Sequence, residues 1–363
     1  MKILIVNASF YPVINGHVIY MENIAKSFIK QGHEVDLLCS GENKNNKLEG
    51  INLIRYEKPL AGLSPQENYE EYRKRSFTKL KKLDYKKYDL IISGSEIFLE
   101  DLKKLYSSDK IIWAVPSLRN VAENVADKKE AKRLKEQIQT AIKKIKLVVV
   151  SELLKNQFKE HFGREDNIEV VYPGIDLNKF EFKKEKNEDN ILFIGRICKE
   201  KNVESLINGF KLSEKGKLII VGGGNTDKLK EKLKGNGKEK MVSFEGVQKE
   251  TKQYYDKSKI FVLPSIYESF GHVILEAMAS GLVVIAFKPN RKNVLTASNE
   301  IIEDGKTGFL VNSEKEMAEQ IDLILNNEEL RISIINKARR KAESFSWNKT
   351  AQEILNFAGI KDL

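Results

Sequence analysis

Cysteine is scarce in this chain: Cys39 and Cys198 stand one in each half of 363 residues, with no CxxC pair and no metal-ligand spacing. That pattern excludes a disulfide framework and a structural zinc site, and it fits a reducing compartment. Both cysteines adjoin apolar runs and read as small buried residues. Histidine is almost as sparse, at His17, His33, His161 and His272. No GxGxxG fingerprint and no GxxxxGK[ST] loop occurs, which speaks against a dinucleotide oxidoreductase and a P-loop NTPase. No apolar stretch approaches the roughly 18–20 residues of a membrane span. The opening Met-Lys-Ile-Leu-Ile-Val-Asn is too short for a signal peptide and has no cleavage site. The expectation is a cytoplasmic protein, soluble or at most peripheral on the inner face of a membrane.

Charge, in contrast, is abundant. The formal net charge is +10, with 31% charged and 41% hydrophobic residues, a globular composition with a well-solvated surface. Charge alone suits nucleic acid, anionic lipid headgroups or phosphorylated small molecules equally. No recognised nucleic-acid-binding module is present, and no nucleic-acid partner is expected. The length favours two domains of about 170–190 residues.

Short apolar runs at 2–6, 34–39, 51–55, 89–93, 110–114, 146–150 and 168–171 alternate with helical stretches. Such alternation is the grammar of a doubly wound parallel sheet. Pro173-Gly174 interrupts it, and the charged, aperiodic 178–190 reads as a linker. From Ile191 the grammar restarts with ILFIG, KLIIVGGG, KMVSFEG, KIFVLPS and LVVIAF, five strands of a second Rossmann-like domain, and 313–358 is mostly helical. The expected division is 1–172, a linker at 173–190, a second domain at 191–345, and a helix within 346–363 returning to the first. Ligands of such sheets bind beyond the carboxyl ends of the strands, so two domains facing across a cleft would share one site.

The densest constellation is Pro264-Ser265-Ile266-Tyr267-Glu268-Ser269-Phe270-Gly271-His272-Val273-Ile274-Leu275-Glu276-Ala277-Met278-Ala279-Ser280-Gly281. A strand runs into a loop, and the loop into a helix that begins near Gly271 and stops at Gly281. Backbone N–H groups at a helix start bind hydroxyl or phosphate oxygens, and a glycine lets the ligand approach. Glu268 before the helix and Glu276 inside it can each accept paired hydroxyls. A second signal, Gly195-Arg196-Ile197-Cys198-Lys199-Glu200-Lys201, leaves a strand directly. There Arg196 can act as a fork and Lys201 as a point charge on a diphosphate. A third is Tyr11-Pro12-Val13-Ile14-Asn15-Gly16-His17, a glycine loop opening a helix. The tip Val221-Gly222-Gly223-Gly224 ends another strand and could cover a nucleotide.

PSIYESFGHVILEAMASG resembles the E-x7-E signature of retaining GT-B-fold glycosyltransferases, the fourth glycosyltransferase sequence family, or glycosyl transferases group 1. GR-x4-K ahead of it, NIEVVYPGIDLNKF and EIIEDGKTGFLV are similar to that family too. The resemblance implies a GT-B fold with an N-terminal acceptor-binding domain and a C-terminal nucleotide-sugar-binding domain. It places Glu268 on the donor sugar's hydroxyls, Glu276 on the ribose, Arg196 and Lys201 on the pyrophosphate, and the backbone of Phe270 and Gly271 near sugar and phosphates. Gly195 serves the tight strand exit. Of the family's Gly-Gly in the first loop, only Gly16 is kept, beside Asn15. Glu268, Arg196 and Lys201 are therefore the candidate catalytic residues.

Transfer leaves charge on the diphosphate, which the two cations and the helix start can stabilise. With no DxD motif and no His/Cys cluster, neither metal nor cofactor is expected. The resemblance further implies retention of configuration and a UDP-sugar as the common donor. A catalytically idle nucleotide-sugar-binding subunit would keep the fold but tend to lose Glu268, Arg196 or Lys201, and all three are present. Many family members carry a histidine after a mid-domain strand; Ile111–Pro116 has none. His272 reads either as a phosphate contact or as a plain helix-start residue, and His33 as structural. Lys288-Pro289-Asn290-Arg291-Lys292-Asn293 is an unusually basic loop, solvated or facing an anion. Segments 69–88 and 128–146 interleave cations with apolar residues. They read either as solvated helices or as a surface that docks on anionic lipid near a lipid-linked or glycan acceptor.

Overall fold

The computed structural model describes residues 1–8, 16–41, 48–57, 65–115, 117–118, 128–290 and 292–360. The chain divides into two compact units, Met1–Gly174 with Trp347–Leu363, and Ile175–Ser346.

The first unit holds seven strands: β1 (Lys2–Asn7), β2 (Glu34–Ser40), β3 (Ile51–Tyr56), β4 (Leu90–Ser93), β5 (Ile111–Val115), β6 (Lys146–Val149) and β7 (Ile168–Val170). Their order is β3-β2-β1-β4-β5-β6-β7, and every neighbouring pair is parallel. Ile3, Leu4, Ile5 and Val6 are all fully buried. A parallel strand covered on both faces must be apolar throughout rather than alternating. Helix Gly16–Lys30 turns Val18, Met21, Ile24, Ala25 and Phe28 inward at helical spacing, and the left-handed Gly32 follows its end.

The final helix, Trp347–Ala358, belongs to this unit. Trp347 meets Tyr20 edge-on with ring centroids 5.7 Å apart, and the Gln31 amide donates to the Asn348 carbonyl at 2.9 Å. Thr350 donates to the Tyr172 carbonyl at 2.8 Å.

The second unit contains β8 (Asn190–Ile194), β9 (Lys217–Val221), β10 (Val242–Gly246), β11 (Ile260–Leu263), β12 (Tyr267–Glu268), β13 (Val283–Phe287), β14 (Leu295–Thr296) and β15 (Phe309–Val311). Six form a parallel sheet in the order β10-β9-β8-β11-β13-β15, while β12 and β14 make a separate two-stranded ladder. Of these, β15, β12 and β14 were not among the five expected strands; at two or three residues each they carry no readable period.

Residues 180–186, charged and aperiodic in sequence, run along this unit. Lys183 pairs with Asp256 at 3.0 Å, and Arg331, buried completely, donates to the Lys184 carbonyl at 2.5 Å. Lys186 is buried and donates to the carbonyls of Tyr255 (2.8 Å) and Ser280 (3.1 Å). Those acceptors lie at the C-terminal ends of helices Lys252–Lys257 and His272–Ala279, where unsatisfied carbonyls and the helix dipole favour a cation. No helix among the described residues is long and apolar enough to cross a membrane.

Candidate active site

In the second sheet the strand order reverses between β8 and β11, and both main motifs leave the carboxyl ends of these two strands. The chain leaves β8 through Gly195 and Arg196, makes a tight turn at Lys199–Lys201, and enters helix Val203–Leu212 through left-handed Asn202. The glycine tip after β9 holds this loop by its backbone. Gly195 N–H donates to the Val221 carbonyl at 3.0 Å, and Ile197 N–H to that of Gly223 at 2.7 Å. Gly222 has φ +143°, and a Cβ on it would lie 1.8 Å from the Gly195 oxygen. Gly222, and Gly224 with a would-be Cβ 2.3 Å from the Ile197 oxygen, thus serve close backbone approach.

The loop after β11 is tied to the first one, because Ile266 N–H donates to the Glu200 carbonyl at 2.8 Å. The β12–β14 ladder, extended by Ala297 N–H on the Glu268 carbonyl at 3.1 Å, fixes the backbone that carries Glu268. The Glu268 carboxylate accepts from the Lys201 ammonium in an ion pair whose side chains are only 20% and 18% exposed. The sequence treats these residues as contacts to different parts of a ligand, and nothing in a spacing of 67 residues reveals that they meet. Arg196, by contrast, is exposed and has neither ion pair nor hydrogen bond among the described residues.

Left-handed Gly271 (φ +100°) opens helix His272–Ala279, and a Cβ there would press on Ile274 Cδ1 at 3.1 Å and Glu268 Cγ at 3.4 Å. The Phe270 ring is buried against His272 (5.4 Å) and Phe345 (6.0 Å), so that loop can offer a ligand backbone rather than ring. Burial lowers the His272 imidazole below its ordinary pKa, with Glu268 raising it and Lys201 lowering it further.

Half-buried Glu276 accepts a 2.6 Å hydrogen bond from the Tyr255 hydroxyl. Tyr255 is buried against Phe180 and Phe261. Burial raises the Glu276 carboxyl above the usual carboxylate range, and Tyr255 and Lys179 partly offset this. Sequence reading missed Tyr255, because a tyrosine in KQYYDK has no motif to mark it.

The remaining candidates are scattered. Gly16 is the exposed first residue of its helix; residues 11–15, Asn15 included, lie outside the described residues, as do Pro116 and Arg291. Trp113 stands where the family histidine would be sought, buried edge-on against Phe158 at 5.8 Å. His33 packs on Phe28 at 6.3 Å. In the basic loop, Asn290 accepts from the backbone N–H groups of Lys292, Asn293 and Val294. The segment 69–88 spends part of its charge internally: Arg73 forks onto Asp101 at 3.1 and 3.0 Å, and Arg75 pairs with Glu71 at 2.8 Å.

The second unit therefore gathers two cations, two carboxylates and a glycine-opened helix start at its switch point, groups suited to a diphosphate and to hydroxyl-rich sugars. Two family descriptions match: glycosyl transferases group 1 over residues 174–341 and glycosyltransferase family 4 over residues 14–179. An uncharacterised glycosyltransferase of Methanocaldococcus jannaschii is 28% identical across 98% of this chain and 97% of its own. The N-acetylgalactosamine-N,N'-diacetylbacillosaminyl-diphospho-undecaprenol 4-alpha-N-acetylgalactosaminyltransferase of Campylobacter jejuni is 28% identical across 52% of this chain and 53% of its own. Among solved structures, Anabaena HepE in complex with UDP and glucose superposes with a TM-score of 0.79 at 18% identity, covering 98% of each chain. The expected fold, two parallel α/β sheets in the GT-B manner, is the fold observed. The chain belongs to the group 1 glycosyltransferases of GT-B fold.

Proposed function

We propose that this glycosyltransferase moves a hexosyl or N-acetylhexosaminyl group from a UDP-sugar, with retention of configuration and without a metal, onto a lipid-linked or surface-glycan precursor. The observation that carries this reading is the Lys201–Glu268 ion pair at the β8–β11 switch point, with Arg196 exposed in the same loop as Lys201 and without an ion pair among the described residues. Arg196 and Lys201 stabilise the departing diphosphate, and Glu268 holds the sugar's hydroxyls. The second unit, Gly195 and the backbone of Phe270, Gly271 and His272 included, binds the donor. Gly16 and the rest of the first unit serve the acceptor side and the distal end of the donor. UDP as the base is supported by the UDP found with HepE, and a lipid-linked acceptor by the undecaprenol-linked substrate in the Campylobacter enzyme's name. Peripheral docking on an anionic leaflet rests on exposed lysines that have no acidic partner among the described residues, Lys82, Lys86 and Lys87 among them.

The test is release of nucleoside diphosphate from UDP-, GDP- and ADP-sugars in the presence of EDTA. The expected result is slow breakdown of a UDP-sugar that survives the chelator and falls about a hundredfold in Arg196→Ala. Breakdown abolished by EDTA would overturn metal independence, and failure of all three donors to bind would overturn the reading.

Tyr255 is expected to position Glu276 for the ribose. Tyr255→Phe removes a hydrogen bond to a charged acceptor, about 1.5–3 kcal/mol, and should weaken UDP binding about tenfold by calorimetry. The sign with pH follows from the same bond. It favours the ionised Glu276, so its loss raises that carboxyl further, and the defect should deepen as pH falls from 8 to 6. A defect of equal size at both pH values would show a packing role only.

A further inference from the structure

Segment 180–186 runs past the C-terminal ends of the two helices that carry Tyr255 and Glu276, Lys252–Lys257 and His272–Ala279. It passes closely. A Cβ on Gly281, which follows the second helix at φ +81°, would stand 2.6 Å from the Lys183 carbonyl oxygen and 3.2 Å from the Phe182 ring. Only glycine combines the left-handed turn with that approach.

Within that segment, Lys186 closes a circuit of hydrogen bonds. Its ammonium donates to the Tyr255 carbonyl at 2.8 Å and to the Ser280 carbonyl at 3.1 Å. The Tyr255 hydroxyl donates to Glu276 Oε2 at 2.6 Å, and Ser280 N–H donates to the Glu276 carbonyl at 3.0 Å. One lysine thus joins the main chain of the residue that holds the Glu276 carboxylate to the main chain one helical turn beyond Glu276 itself. Arg339 adds a second tie of the same kind, donating from Nη1 to the carbonyls of Ala279 (2.7 Å) and Phe180 (3.1 Å). The Phe180 ring lies edge-on to Tyr255, with centroids 5.6 Å apart.

Burial makes this lysine informative. An ammonium is strongly hydrated, and lysine is rarely buried unless paired. Lys186 is 8% exposed, and its hydrogen bonds go to carbonyls rather than to a carboxylate. Burial pushes its pKa down to about 8, with Asp256 opposing the fall and Arg331, Lys183 and Lys252 adding to it. Helix ends carry orphan carbonyls and a partial negative charge, which one ammonium can satisfy at two places. An apolar side chain would fill the space without the desolvation cost, but it would leave the two helix ends untied.

We propose that Lys186 is a positioning residue for the nucleotide's ribose: by tying the two helix ends it sets the Tyr255 hydroxyl and, through it, the orientation of the Glu276 carboxylate. This rests on the reading above that Glu276 takes the ribose. A carboxylate accepts the neighbouring 2′- and 3′-hydroxyls only when its oxygens face them, and such a site works only when its supporting residues hold it to within about 0.5 Å. Because Lys186 acts through Glu276, its effect is confined to the ribose hydroxyls and spares the diphosphate and the base.

The experiment compares UDP with 2′,3′-dideoxy-UDP, which lacks both hydroxyls, by calorimetry on the full chain. The parent should bind UDP at least about tenfold more tightly than the dideoxy nucleotide, the usual worth of hydrogen bonds to a charged acceptor. Lys186→Met should narrow that ratio to about threefold or less, while its affinity for the dideoxy nucleotide stays within about twofold of the parent's. Lys186→Met/Tyr255→Phe should narrow the ratio no further than Tyr255→Phe alone, because both act through one carboxylate. An unchanged ratio, or equal losses for the two nucleotides, overturns the positioning role and leaves Lys186 a structural cap. Should Lys186→Met not fold, amide exchange in the parent decides. UDP should then slow exchange at Ser280 and Gly281 about threefold more than the dideoxy nucleotide does, and equal protection overturns the proposal. If the parent shows no preference for UDP, or if Glu276→Gln keeps that preference, the ribose does not lie on Glu276; that reading falls first, and the proposal with it.

Discussion

Glu268→Gln is expected to lower kcat by about a hundred- to a thousandfold, the usual consequence of removing one preorganised charged group at a reacting centre. Glutamine keeps the volume and one acceptor oxygen, so the loss isolates the charge. Glu268 has two tasks. In the proposed reading it presents two oxygens to sugar hydroxyls, and in the structure it holds the Lys201 ammonium in a largely buried ion pair. Without it Lys201 loses its counter-ion in a partly desolvated place, where an unmatched charge is expensive. Lys201→Met should cost a similar factor for the mirrored reason. Because each residue depends on the other, Glu268→Gln/Lys201→Met should fall well short of the product of the single losses. Initial rates at saturating donor decide this, with UDP affinity measured alongside. A kcat within threefold of the parent for Glu268→Gln would remove it from the reaction, and strictly multiplicative losses would show that the ion pair is incidental.

That pairing also shows where sequence reading stopped. Both sheets were legible because continuous apolar runs such as Lys2–Val6 and Ile191–Ile194 leave a parallel strand few alternatives. The two motifs were legible because each is local: glycine, charge and helix start follow one another along the chain. Contacts across the sequence were not. Lys201 meets Glu268 only because β8 and β11 are neighbours and Ile266 is bonded to Glu200. Tyr255 reaches Glu276 from a six-residue helix that carries no signature. The segment around Lys186 read as a linker because it is charged and aperiodic; that Lys186 itself is buried could not be read there, because the helix-end carbonyls that accept from it lie 69 and 94 residues away.

The glycine tip after β9 provides the second large expected effect, and its cause is backbone geometry rather than charge. Gly222 sits at φ +143° with its hypothetical Cβ 1.8 Å from the Gly195 carbonyl oxygen. Neither the conformation nor the clash can be relieved by a side-chain rotation, because both partners are main chain. Gly222→Ala must push apart the Gly195–Ile197 segment and the end of β9, which are joined by the bonds from Gly195 to Val221 and from Ile197 to Gly223. The expected cost is about 3–5 kcal/mol, at the high end for single substitutions, or a fall of about 6–20 °C in the melting temperature. Since Arg196 lies inside the displaced segment, UDP affinity should fall at least tenfold in the molecules that remain folded. Gly223→Ala is the control: its Cβ would meet the Val247 side chain at 2.8 Å, and Val247 is 79% exposed and free to turn away. That variant should lose less than about 1 kcal/mol, within the range of ordinary surface substitutions. Equal melting temperatures for the two variants would mean that the tip does not brace the Arg196 loop. A large loss confined to Gly222→Ala would tie the position of Arg196 to a single residue's lack of a side chain.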